Sequence, residues 1–334
     1  MLNIIIIILG ISFLLYTVLG GADFGAGILE TFIGSRGETT VSKAIAPVWE
    51  ANHIWLILAI VIMFTGFPMV YFTITLYLHI PLLIVLIGIV LRGSAFIFRF
   101  YDFTNDPSHK YFTALFKISS FITPVFLGIV IGAMTLGKIN SGSDGSFYER
   151  FIMPWFNLFC FTMGLFTGAL FAYIAAVFLV GEATNKAGRN KYGRLAKIFL
   201  ILTFIFGLLV FITAQMENLH LFAGLFNSII SIIAFTVAVL LSPVIFYLFN
   251  QTNAVFLRGA IGLQIVLFLL GWFAIHFPVV LYEKNGNNLS LYNAHAPDAS
   301  LYQLMIALFV GLILVIPAFY FLFKVFKKTN VGEG

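Results

Sequence analysis

Stretch after stretch of this sequence stays apolar for roughly 20 residues or more, the length at which a helix crosses the hydrocarbon core of a bilayer. The first of them, LNIIIIILGISFLLYTVLGG, meets no charge before Asp23. Apolar residues make up 61% of the chain and charged residues 9%, with a mean hydropathy of +1.06, so 334 residues of this kind cannot form a water-soluble globule. The runs are continuous and lack the ten-residue alternation of an outer-membrane barrel. What remains is an all-α, polytopic membrane helix bundle. About nine transmembrane helices are expected, over approximately 2–32, 47–65, 76–99, 113–137, 152–181, 194–215, 224–249, 256–281 and 301–323. Pro68, Pro81, Pro278 and Pro297 punctuate the short connections, and residues 1–334 read as one integral membrane domain with no soluble domain inserted. The N-terminal run lacks the positive region and small-residue cleavage site of a signal peptide and is read as a retained first span.

A net charge of +5 does not point to nucleic acid here, because the basic residues sit in short loops beside apolar spans. The loops after the first, third, fifth and seventh spans and the C-terminal tail hold Arg36, Lys43, Arg99, Lys110, Lys186, Arg189, Lys191, Arg194, Lys197, Arg258, Lys324, Lys327 and Lys328. The opposite set holds only Lys138, Arg150 and Lys284. By the positive-inside rule the N-terminus faces outward and the C-terminus faces the cytoplasm. The single cysteine, Cys160, excludes an internal disulfide and a multi-cysteine metal cluster.

Against this background two acids stand out. Asp23 lies in LGGADFGAGILE and Glu50 in APVWEANHIWLILAIVIMF, and an ionisable residue within a membrane span usually faces the bundle interior and handles protons or ions. Gly20, Gly21, Gly25 and Gly27 surround Asp23 and permit close helix packing or leave room for water beside the carboxylate. Glu30, seven residues on, shares its helix face but lies near the membrane surface, where an interfacial anchor is the simpler reading. Glu50 is followed by Asn52 and, at i+3, His53. Acid, amide and imidazole within one and a half turns suit a proton path, and equally a polar cap at the start of the second span. Arg92, in IGIVLRGSAFIFRF, is either a counter-charge for a buried carboxylate or a snorkelling interfacial residue. His79, His109, His220, His276 and His295 are scattered and define no metal or haem site; His276 is the most tempting axial ligand, but a lone histidine near a helix end more often bonds the backbone.

The first 80 residues resemble subunit II of the cytochrome bd-type quinol oxidases. ADFGAGIL is similar to that family's DGFDxGxG stretch, and IAPVWEANHIWLI followed by FPMVY to its IAPxWDGNxVWLI…WPMVY signature. Weaker likeness continues through VLRGSAFIFR and NLSLYNAHAPDASLYQLM. The resemblance implies a non-catalytic member of a heterodimer in the bacterial cytoplasmic membrane. Its partner, subunit I, carries two haems b, one haem d and the quinol site, and this chain contributes a hydrophilic path for cytoplasmic protons toward the reduction of oxygen to water. No cofactor is expected in this chain, although some members of the family hold a structural quinone in subunit II. A small accessory subunit, lipid, and quinol and oxygen through the complex complete the expected partners, with no nucleic acid. In family terms Asp23 matches the second aspartate of DGFD and Glu50 the aspartate after the tryptophan, both proton-path positions, with Asn52, His53 and Arg92 in support. Gly20 stands where the family has its first aspartate, Ala51 replaces a glycine, and His53 is unusual at its position.

Two other functions fit the same acids. A proton-coupled secondary transporter would need paired broken helices in its two halves, and only the first half offers a glycine-interrupted span. A purely structural scaffold subunit would use the acids for packing alone.

Overall fold

Proline and glycine set many of the boundaries between the helices. The computed structural model describes residues 1–33, 38–101, 107–142, 145–183, 185–219, 221–249 and 254–329, and within these leaves out the side chains of 38–51, 100–101, 107, 254, 319–320 and 322–329. Helix α1 covers Leu2–Ile33, α2 Glu38–Gly66 and α3 Pro68–Tyr77. Pro68 opens α3 at a position where its missing N–H costs nothing. Helix α4 covers His79–Tyr101, α5 Pro107–Leu136, α6 Phe147–Phe151, α7 Leu158–Glu182 and α8 Lys186–Met216. Then come α9 Leu221–Asn227, α10 Ile229–Leu248, α11 Ala254–His276, the short strands β1 Val279–Leu281 and β2 Leu289–Ser290, and α12 Asp298–Thr329.

The expected spans fall on α1, α2, α4, α5, α7, α8, α10, α11 and α12. Among the described residues eight helices are long and apolar enough to cross a membrane. The ninth segment, Asn52–Gly66, reaches that length together with α3, from which it is bent by 111°. Three of the long helices start on side-chain caps that satisfy an otherwise orphaned N–H: Asn157 accepts from Cys160, Asn185 from Gly188 and Ser228 from Ser231.

Helix α7 is the axis of the bundle. Of its apolar window 83% is buried, against 44% or less for the other spans, and it packs on α1, α5, α8 and α11. Small residues explain the position, because Gly164, Gly168, Ala169, Ala172, Ala175 and Ala176 let neighbouring backbones come close. The tightest approach is to α1, where a Cβ on Gly25 would overlap the Phe171 carbonyl.

The connections at one end are more elaborate than the sequence suggests. After α5, Ile139 bridges Glu283, and the Lys284 N–H donates to the Ile139 carbonyl at 2.9 Å. The Tyr282 N–H donates to Met134 of α5 at 2.9 Å, and Ala296 N–H to Gly66 of α2 at 2.8 Å. Strands β1 and β2 pair antiparallel beside this bridge. A capping box on α6, in which Ser146 and Glu149 bond each other's backbone, holds the Glu149 carboxyl below its usual range, chiefly through the Ser146 N–H. Two segments more than 100 residues apart in sequence thus build one cap, and each carries a partner that periodicity within its own segment cannot reveal.

The buried apolar residues form two large bodies. One joins Ile5, Ile62, Phe67, Ile129 and Phe159 to Leu281 and Leu291 of the cap. The other joins Phe24 and Leu29 of α1 to the second half of α7 and to α8, α10 and α11. A third, small cluster, Ala95, Phe96 and Phe116, lies between α4 and α5.

Candidate functional site

One face of α1 carries residues 16, 20, 23, 27 and 30, which follow at steps of four and three and so lie in one stripe. Tyr16, Asp23 and Glu30 bear polar side chains on it, and all three are buried. The intervening Gly20 and Gly27 have none, and polar groups from other helices fill the gaps. A Cβ on Gly20 would sit 3.0 Å from the Asn52 amide oxygen of α2, and one on Gly27 would overlap the Ser120 hydroxyl of α5. Pro124, four residues beyond Ser120, has no N–H to give to the Ser120 carbonyl, which adds a further polar atom at this level.

Helix α4 supplies the cations. Arg92 donates through Nη2 to the Asp23 carboxylate, and both residues are fully buried. Seven residues on, Arg99 grips Glu30 with both ends of its fork, Nη1 to Oε2 at 2.6 Å and Nη2 to Oε1 at 3.0 Å. The two ion pairs are rungs of one ladder, because both join residues 69 apart on parallel helices. Aromatic rings seal the rungs: the Arg92 guanidinium carbon lies 5.5 Å from the Phe24 centroid, 5.6 Å from Phe96 and 5.1 Å from Phe116. The Arg99 guanidinium carbon lies 4.2 Å from the centroid of the same Phe116 ring. Such contacts offset part of the cost of taking a guanidinium out of water.

The rungs differ in how they are satisfied. Glu30 has both oxygens bonded by Arg99. Asp23 uses only Oδ1, and Oδ2 has no partner among the described residues. Among the described residues Arg92 Nε and Nη1, both polar atoms of the Asn52 amide, the Tyr16 hydroxyl and, a turn away at Gly27, the Ser120 hydroxyl are buried without a partner as well. Asn52 lies beside Asp23, although neither of its amide atoms completes a hydrogen bond among the described residues. Buried polar atoms are nearly always bonded, so this concentration on three neighbouring helices and α5 marks a special site.

The structure therefore brings Asp23, Arg92 and Asn52 together. His53 is half-buried and within electrostatic reach of Arg92. The side chains of Glu50 and Lys43, both on α2, and Arg36 lie outside the described residues. Arg92 is the counter-charge of a buried carboxylate and does not snorkel. Glu30 departs from the interfacial reading: it is fully buried, and Arg99, counted among the loop cations, is its partner. The signal available in the sequence was the matched spacing, seven residues between the acids and seven between the arginines. Tyr16 and Ser120 gave no such signal.

Among the described residues no group of three His, Cys, Asp or Glu side chains could hold a metal ion. The rings of His79, His276 and His295 each engage a backbone carbonyl through Nδ1, that of Trp272 at 2.9 Å in the case of His276.

The family model described as cytochrome bd terminal oxidase subunit II matches residues 1–326. The chain is 23% identical to the cytochrome bd ubiquinol oxidase subunit 2 of Bacillus subtilis, over 96% of this chain and 94% of that protein. It is 28% identical to the cytochrome bd-I ubiquinol oxidase subunit 2 of Escherichia coli over 39% of this chain and 35% of that one. Its fold is similar to a chain of the bd oxidase of Geobacillus thermodenitrificans, with a TM-score of 0.77 and 21% identity over 97% of this chain and 98% of the other.

Proposed function

Since the chain belongs to the family of cytochrome bd terminal oxidase subunit II, and so is a subunit of a quinol oxidase complex, we propose that it carries protons from the cytoplasm toward the site where oxygen is reduced to water. Its partner is a haem-bearing subunit I in a bacterial cytoplasmic membrane. The partner supplies the redox chemistry, and this chain supplies a route for the protons that each electron reaching oxygen requires. The excess of Lys and Arg at the end of the bundle that carries Glu30 and Arg99 supports a cytoplasmic setting for that end.

The observation that carries the reading is the half-used carboxylate of Asp23. A guanidinium on Oδ1 keeps the charged form affordable inside the bundle, while Oδ2 stays free to take up and release a proton. Asn52, His53 and Arg92 line its surroundings, and Glu50, one turn before His53 on α2, is the acid on the approach. A purely structural reading has its own support in the Glu30–Arg99 rung, whose two charges are bonded fork to fork and sealed by Phe116. We assign that rung to locking α1 and α4.

The deciding experiment is Asp23→Asn in the purified complex, with oxygen consumption and proton uptake normalised to haem. The amide keeps the shape and loses the proton site, so turnover is expected to fall about tenfold or more, toward the range set by general acid–base groups. Parental turnover with parental proton uptake would defeat the reading. Loss of assembly with unchanged turnover per haem would favour the structural one.

A further inference from the structure

We propose that Tyr16 is a proton-carrying residue beyond Asp23, at the end of the column away from Glu30, and that ordered water held by Tyr16, Asn52, Asp23 and Arg92 joins the two. This inference rests on the proton-carrying reading of Asp23. Tyr16 precedes Asp23 by seven residues on the same stripe of α1, about 10 Å along the axis. At that separation a phenol and a carboxylate do not meet directly. Gly20 lies between them and offers no side chain, and the Asn52 amide from α2 is the polar group that packs against it.

A buried tyrosine ordinarily finds a partner for its hydroxyl. Here the residue is 6% exposed, and its Oη has none among the described residues. The same holds for both amide atoms of Asn52, for Asp23 Oδ2 and for Arg92 Nε and Nη1. A hydroxyl that donates and accepts, an amide with one acceptor and one donor atom, a carboxylate oxygen and two guanidinium donors are supplied by α1, α2 and α4. A buried water typically takes two to four bonds, and this set offers donors and acceptors in that number. The proton passes along such a file by exchange of O–H bonds. Each oxygen takes a proton from one side and releases another on the far side, so that neither the phenol nor the waters gain or lose charge overall.

Tyr16→Phe removes the hydroxyl alone and keeps the ring packing. In the intact two-subunit oxidase, turnover per haem is expected to fall about threefold to tenfold, the factor set by one lost hydrogen bond along the route. The quinol KM and haem content should stay at the parental values and the solvent isotope effect on turnover should rise, a change that a packing role would not produce. Asp23→Asn is measured beside it. Parental turnover and isotope effect in Tyr16→Phe, with Asp23→Asn slow, overturn the role of Tyr16 and leave that of Asp23 standing. Parental turnover in Asp23→Asn removes the underlying reading and this inference with it. Should Tyr16→Phe yield no complex, Asn52→Leu blocks the same gap from α2, and a parental isotope effect there overturns the proposal equally.

Discussion

Two polar clusters are buried in this bundle, and they differ in whether their atoms are spoken for. In the first, Gln264 of α11 accepts from the Tyr173 hydroxyl of α7 at 2.7 Å and gives both amide hydrogens to α10, to the Ala238 carbonyl at 2.8 Å and the Ser242 hydroxyl at 3.0 Å. It behaves as a clamp on three helices, complete in itself. In the second, along α1, the Asp23 level keeps a carboxylate oxygen, two guanidinium nitrogens, an amide and a phenol without partners among the described residues. Hydrophobic burial is equal at the two places, since Gln264, Asp23, Asn52 and Arg92 are all 0% exposed. The difference lies in polar capacity left over, which is what the proposed proton route needs and a clamp does not.

The comparison breaks most readily at Arg92. Arg92→Met keeps much of the volume but strands Asp23 in an apolar setting, and a broken buried pair costs about 3–5 kcal/mol. Haem-bearing complex recovered through a tag on this chain should drop sharply. Adding Asp23→Asn, which removes the stranded charge, should restore part of the yield; normal yield from Arg92→Met alone would show that the pair contributes nothing to assembly. A smaller effect is expected at the clamp. Gln264→Leu should lower stability by about 1 kcal/mol, the usual scale for a hydrogen bond between helices in a membrane, and leave turnover per haem unchanged. Thermal unfolding and oxygen consumption check the two halves of that statement, and a clear loss of turnover would erase the distinction between the clusters. The smallest effect belongs to Gly20→Ala. The new methyl group presses on the Asn52 amide, the mobile end of a side chain, so stability should stay within about 1 kcal/mol of the parent and turnover should decline slightly. A decline as deep as that of Asp23→Asn would mean that Asn52 cannot yield.

Much of this architecture was legible in the sequence, for a physical reason. Lipid allows few solutions for a backbone, so apolar length alone marked out nine helices. The cost of burying a charge singled out Asp23, and its need for compensation singled out Arg92. Glu30 and Arg99 escaped because each lies close enough to a helix end for an interfacial role to account for it. Only the equal seven-residue offsets on two helices would have paired them. Gln264 escaped because one amide in a 23-residue apolar helix creates no period. Ser120 escaped because a serine hydroxyl in a helix can bond its own backbone, and Tyr16 because a tyrosine in an apolar span reads first as packing. Most of the cap was read as short connections, and its parts at 152–157 and 277–281 as ends of spans, for a similar reason, its hydrogen bonds being made between segments as well as within them.

The ladder between α1 and α4 also fixes an order of events in time. Its two partners are 69 residues apart, and at roughly 5–20 residues per second a ribosome needs several seconds to deliver the second after the first. A newly made α1 therefore arrives in the bilayer with two acids and no cations to meet them. Its seating is completed by the arrival of the third crossing, so a chain truncated ahead of α4 lacks the means to settle its own beginning.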